Sequence, residues 1–138
     1  MQIVIPMVGV GSRFAKKGYA VPKPLIEVHG KPMIEYVVDL FPGESNFVFI
    51  CNKEHLEKTD LRKVLKKLKP ESVIVEMPDV GSGPAHNFVR AADHVKDDEP
   101  IVVNYCDFDM YWDWNDFKKQ MADTNLSSFT SVIFPISK

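Results

Sequence analysis

The chain has 138 residues, a formal net charge of -2, 45% hydrophobic and 26% charged residues, which is the makeup of one globular domain with room for a single core. A sequence pI near 6.1 argues against a nucleic-acid partner, whose polyanionic backbone calls for a basic face. No apolar stretch is long enough to span a bilayer, and the opening MQIVIPMVGVG has neither a basic leader nor a small-residue cleavage site, so a cytoplasmic protein without a membrane partner is expected.

Five short apolar runs read as strands: residues 2–7 (QIVIPM), 46–51 (NFVFIC), 72–77 (SVIVEM), 100–106 (PIVVNYC) and 127–134 (SSFTSVIF). The first four are β-branched and apolar on both faces, as strands covered on both sides by helices should be. Between them lie helical patterns. The first spans residues 31–41, with Pro32 suited to a first turn. The next covers 53–69, with Leu61, Val64, Leu65 and Leu68 on one stripe and lysines behind it. The third, 84–95, places Ala85, Phe88, Val89 and Ala92 inward, and the last covers 115–123 with Phe117 and Met121. Strands and helices in alternation predict an α/β fold: a three-layer α/β/α sandwich around a Rossmann-like, mostly parallel sheet with right-handed crossovers. Cys51 and Cys106 fall inside apolar runs and read as small core residues, not as a disulfide or a zinc site.

Ligands of such sheets bind at the carboxyl ends of the strands, and the unusual residues of this chain follow strands. After the first comes VGVGSRFAKKGYAVPKP, in which Gly9 and Gly11 let the backbone pass close to a ligand and turn its amides inward. The dinucleotide fingerprint would need a third glycine where Phe14 stands, and the only Gly-Lys pair, Gly30 and Lys31, is followed by Pro32, so neither common phosphate loop is present. Arg13 and Lys23 remain as paired cations, the lysine held between Pro22 and Pro24, whose fixed φ angles favour an extended path.

A second glycine turn, VGSGPAHNF, follows the third strand, and Gly83 suits a nucleobase lying against bare backbone at a helix start. His86, just inside that helix, reads as a packing or solvent residue. The fourth strand runs into DFD, where Asp107 and Asp109 offer hard oxygen ligands to Mg²⁺, an ion that keeps waters and shares itself with substrate phosphates. Tyr111, Trp112 and Trp114 either wall a pocket or belong to the core. No zincin pattern, nucleophile elbow or Cys/His pairing stands out, so covalent catalysis has no evident nucleophile.

The segment GVGSRFAKKGYAVPKPLIEVHGKPMIEYVV resembles the signature of the sugar-phosphate nucleotidylyltransferases: Gly-x-Gly-Ser-Arg, an insertion, Pro-Lys-Pro-Leu, a short strand and Lys-Pro-Met-Ile. GSGPAHNF is similar to the family's Gly-x-Ala base loop, and NYCDF to its strand ending in a metal-binding Asp. The resemblance implies that Val8, Gly9, Gly11, Ser12 and Gly83 hold the nucleotide, that Arg13 and Lys23 neutralise the triphosphate, and that Asp107 holds Mg²⁺, while Asp109 reads from its position as an assistant to that metal or a loop cap. It implies transfer of a nucleoside monophosphate from a pyrimidine triphosphate, CTP or UTP ahead of dTTP, to a sugar phosphate or another small phosphorylated metabolite. The aromatic run YCDFDMYWDW looks similar to members associated with capsule or surface polysaccharides.

Two departures accompany the match. The chain has MPDVG where much of the family places a glutamine before the base loop, so base identity does not carry over. Members usually run past Lys138 and supply a second metal-binding Asp and most acceptor contacts from that later part. Residues 1–138 are therefore expected to be the nucleotide-binding part of a longer chain. Two other readings stay open: a glycosyltransferase of the same fold, for which DFD would be the metal-binding Asp-x-Asp, and a non-catalytic nucleotide-binding domain.

Overall fold

The apolar runs become a twofold-covered sheet in the computed structural model, which describes residues 1–78, 81, 83–96 and 98–123. In chain order the elements are β1 (Gln2–Met7), the four-residue helix α1 (Ser12–Ala15), a 3-10 turn (Lys23–Leu25), β2 (Glu27–Val28) and β3 (Lys31–Pro32) of a small hairpin, and α2 (Met33–Asp39). These are followed by β4 (Phe47–Asn52), α3 (Lys53–Lys58), α4 (Leu61–Leu68), β5 (Val73–Met77), α5 (Gly83–Arg90), a second 3-10 turn (Ala92–His94), β6 (Ile101–Val103) and α6 (Trp114–Asp123).

The main sheet has the order β5-β4-β1-β6, and its three pairings are all parallel. The register runs Ile3 to Phe47 through Met7 to Cys51 on one side of β1, and Gln2 to Ile101 through Val4 to Val103 on the other. Strands β4 and β5 step away from β1 in one direction, and β6 then returns to its opposite side. That reversal is the switch point at which loops diverge and leave a crevice above the strand ends.

Because side chains alternate along a strand, β1 and β4 feed two cores at once. Ile3, Ile5, Met7, Phe47, Phe49 and Cys51 pack with residues of α2, α3, α4 and α6 on one face. Val4, Val8, Val48, Ile50, Val75 and Met77 pack with Ala91 and, partly, Phe88 on the other. The three-layer expectation is met, and both cysteines are buried, free thiols as read.

Several boundaries differ, each for a local reason. The run read as one strand over 100–106 pairs only over Ile101–Val103; Asn104 still donates its backbone N–H to the Val4 carbonyl, after which the chain turns at Tyr105–Phe108. The single helix expected over 53–69 is two. Thr59 adopts an extended conformation, and its hydroxyl donates to the His55 carbonyl (2.6 Å) and accepts from the Leu61 N–H (3.3 Å), closing α3 and opening α4. The α4 stripe is as read, with Leu61 and Leu65 fully buried.

The inner face of the helix after the second glycine turn is out of phase with the expected one. Asn87 and Ala91 are buried there, whereas Val89 is 69% exposed and Ala85 and Ala92 are also exposed. Eight residues give periodicity too few turns to fix its phase, and small side chains at i and i+4 let α5 approach β1. The helix assigned to 31–41 begins at Met33, because Lys31–Pro32 are taken up in the hairpin. The strand expected at 127–134 lies outside the described residues.

Candidate functional site

The loop after β1 is fixed at its base by a buried amide. Asn52, at the end of β4 and 2% exposed, donates from Nδ2 to the Val8 carbonyl (2.8 Å), while its Oδ1 accepts the Glu54 N–H and caps α3. Val8 itself points into the core at 2% exposure, so any ligand contact from it comes from the main chain and not from the side chain. Gly9 is exposed, and Gly11 takes a left-handed φ of 64° to start α1, a conformation in which a side chain is strained. Ser12 and Arg13 stand exposed on that short helix.

The chain then comes back through Pro22-Lys23-Pro24. Both prolines are buried and Lys23 is partly exposed, so the lysine is clamped as expected, but the path is not extended throughout. Pro22 is extended (ψ 152°), and Lys23–Leu25 then tighten into a 3-10 turn closed by the Leu25 N–H on the Pro22 carbonyl (2.8 Å). The turn directs the Lys23 ammonium over the Phe14 ring, 5.1 Å from its centroid, and Phe14 is braced edge-on by Tyr19 at 5.6 Å.

From the other side of the switch point, the turn after β6 delivers Asp107. The Lys23 Nζ donates to Asp107 Oδ2 in an ion pair, with side-chain exposures of 23% and 36%. Asn104, buried at 3% exposure, donates from Nδ2 to the Phe108 carbonyl (3.3 Å) and shapes that turn. Cys106, next to Asp107, has its thiol pushed up to about 12 by burial and then by the Asp107 carboxylate, with Lys23 acting the opposite way. It is a neutral thiol at physiological pH and no nucleophile.

Asp109 is exposed two residues further on. No three His, Cys, Asp or Glu side chains gather as a metal cage among the described residues. A single partly exposed carboxylate at a strand end fits an ion that brings most of its ligands with it as water and substrate phosphate. On the third loop, Gly81 and Gly83 have φ of 69° and 81°, and the space where a Cβ of Gly83 would lie is open.

Of the aromatics, Trp114 is core, 3% exposed, and Trp112 packs against it with Phe41 and Phe117, whereas Tyr111 is fully exposed. All three line a cleft of 370 Å³ with Asp39, Leu40 and Pro42, and that cleft contains none of Arg13, Lys23 or Asp107. Sequence reasoning passed over Phe14, Asn52 and Asn104. An Asn at the end of one apolar run, Asn52, and inside another, Asn104, was the available signal for the last two.

A parallel sheet whose first loop meets the turn after β6 at the switch point has the Rossmann-like form. Residues 3–110 match the model of the MobA-like NTP transferase domain, and the chain belongs to that family. It is 25% identical over 129 residues to a glucose-1-phosphate cytidylyltransferase of Salmonella typhimurium, covering 78% of this chain and 50% of that protein. It is 29% identical over 109 residues to a 2-C-methyl-D-erythritol 4-phosphate cytidylyltransferase of Thermosipho melanesiensis, covering 73% and 44%.

Among solved structures, a nucleoside-diphosphate-sugar pyrophosphorylase from Vibrio cholerae superposes with a TM-score of 0.59 at 28% identity over 77% of this chain and 47% of that one. A Bacillus anthracis protein assigned as a glucose-1-phosphate thymidylyltransferase shares the fold with a TM-score of 0.71 at 21% identity, over 91% and 51%. The chain thus spans about half the length of the curated relatives it matches. Among the described residues no helix is long and apolar enough to cross a membrane.

Proposed function

We propose that this chain carries the nucleotide-donor site of a Mg²⁺-dependent nucleotidylyltransferase that moves a nucleoside monophosphate from a pyrimidine triphosphate to a small phosphorylated acceptor, releasing pyrophosphate. One observation carries the reading. Two loops 84 residues apart bring Lys23 and Asp107 into direct contact, with Lys23 beside Gly11 in the turn that opens α1. Two of the relatives are named for cytidylyl transfer to a sugar phosphate or polyol phosphate, which favours CTP as donor and a sugar phosphate as acceptor.

In this reading the backbone of Gly9 and Gly11 lies along the triphosphate, and Gly83 leaves open space for the base. An acceptor phosphate oxygen forms a bond to the α-phosphorus in line with the breaking bond to the β-phosphate bridge, whose electron pair leaves with pyrophosphate. Arg13 and Lys23 offset the charge that builds on the phosphate oxygens, so the work is positioning and electrostatics and needs no protein nucleophile. Asp107, with Asp109 in support, would hold the Mg²⁺, which when bound draws charge from the phosphates.

Titration calorimetry with CTP, UTP, dTTP, ATP and GTP, each with and without Mg²⁺, tests the reading. A pyrimidine triphosphate is expected to bind in a Mg²⁺-dependent way, and Lys23→Ala or Asp107→Ala to weaken it by about tenfold or more, as for loss of a charge-assisted contact. Binding that is indifferent to both substitutions contradicts it.

A further inference from the structure

The two groups assigned to opposite partners in the donor site are engaged with each other. Lys23 would serve a polyphosphate and Asp107 a divalent cation, yet their ammonium and carboxylate form an ion pair with each other. Neither end is an ordinary flexible surface side chain. Lys23 springs from a turn between two buried prolines and rests over Phe14, and Asp107 follows the buried Cys106 in a turn held by Asn104. The pair is therefore set by two anchored loops.

We propose that Lys23 and Asp107 form an electrostatic latch that selects a ligand bearing both charges at once, a divalent cation chelated by a polyphosphate. The inference rests on the donor-site reading and adds a rule of binding to it. A free cation meets a carboxylate already neutralised by Lys23. A metal-free polyphosphate that takes Lys23 leaves Asp107 as an unpaired negative charge beside its own. The chelate supplies a partner for each, so cation and polyphosphate bind with more cooperativity than their association in solution provides.

The test reads signs of change with Mn²⁺ and inorganic tripolyphosphate as probes, by calorimetry at low ionic strength, where a partly exposed pair is least screened. Lys23→Met should tighten Mn²⁺ alone by about three- to fivefold, the ceiling for such a pair. Asp107→Asn should tighten metal-free tripolyphosphate by about the same factor and weaken the Mn²⁺-tripolyphosphate complex. Lys17→Met, in the same loop, and Glu27→Gln, an exposed carboxylate four residues beyond Lys23, report the general field, and their effects should be smaller. Thermal melts confirm that each variant is folded.

If Asp107→Asn moves both forms of tripolyphosphate in the same direction, or no more than Glu27→Gln does, the latch is overturned. If the opposite signs are seen but no nucleoside triphosphate binds, the donor reading falls and the latch stands. If nucleotides bind with Mg²⁺ and the signs do not oppose, the reverse holds. Failure of the wild type to bind either probe in any form overturns both.

Discussion

Asn52 ties the glycine loop to the start of α3 through one buried side chain. Its Nδ2 holds the Val8 carbonyl at the base of the glycine loop, and its Oδ1 caps the helix that follows β4. Removing it orphans a buried carbonyl and a helix N-terminal N–H together. Asn52→Ala should lower the unfolding free energy by about 2 kcal/mol, measured by urea denaturation; a loss within error of zero would show that neither bond matters.

The residues proposed for the donor site stand out in the sequence because their types are distinctive: a lysine between prolines and an aspartate after an apolar run. Their supports were not. Phe14 reads in sequence as a failed third glycine, and only the fold shows its ring lying under the Lys23 ammonium. Val8 reads as a loop residue, and only the register of β1 turns it inward.

The strap from Phe108 to Asp113 carries the chain away from the site and is moored by its aromatics. Trp112 donates from Nε1 to the Leu40 carbonyl (3.0 Å), and Trp114 donates to Glu44 Oε1 (3.1 Å), which Lys118 also contacts at 3.1 Å. The ring of Trp114 packs against Phe41 and Phe117 at 5.1 and 5.4 Å, so α6 is docked by one large side chain. Trp114→Ala should cost about 3–5 kcal/mol, seen as a lower urea midpoint; a loss under about 1 kcal/mol would mean that α6 is held by other contacts.

Element type and order were readable because the strands are short apolar runs and the amphipathic stripe of α4 is strong. What failed were the places where a side chain overrules periodicity. Thr59 divides one apparent helix with its hydroxyl, and Asn104–Cys106, expected to continue the strand, instead lead into a turn in which the Asn104 amide donates to the Phe108 carbonyl.

At the level of the molecule, strand order brings the two loops of the proposed donor site together. With β1 flanked by β4 and β6, the first loop and the last described one converge, although 84 residues separate Lys23 from Asp107. Sequence could state that the unusual residues follow strands; it could not state which strands are neighbours, and so could not foresee that the two charges would meet. The same order separates this crevice from the aromatic cleft, which gives the two regions distinguishable answers in a single experiment.

That experiment is a crystal structure of the chain with CTP and Mn²⁺, with the anomalous signal of manganese used to place the cation. The account predicts the triphosphate along Gly9 to Arg13, a manganese peak at Asp107, and Lys23 turned from Asp107 onto phosphate. Nucleotide bound elsewhere, with the Lys23 to Asp107 pair intact and no peak beside it, would contradict the account.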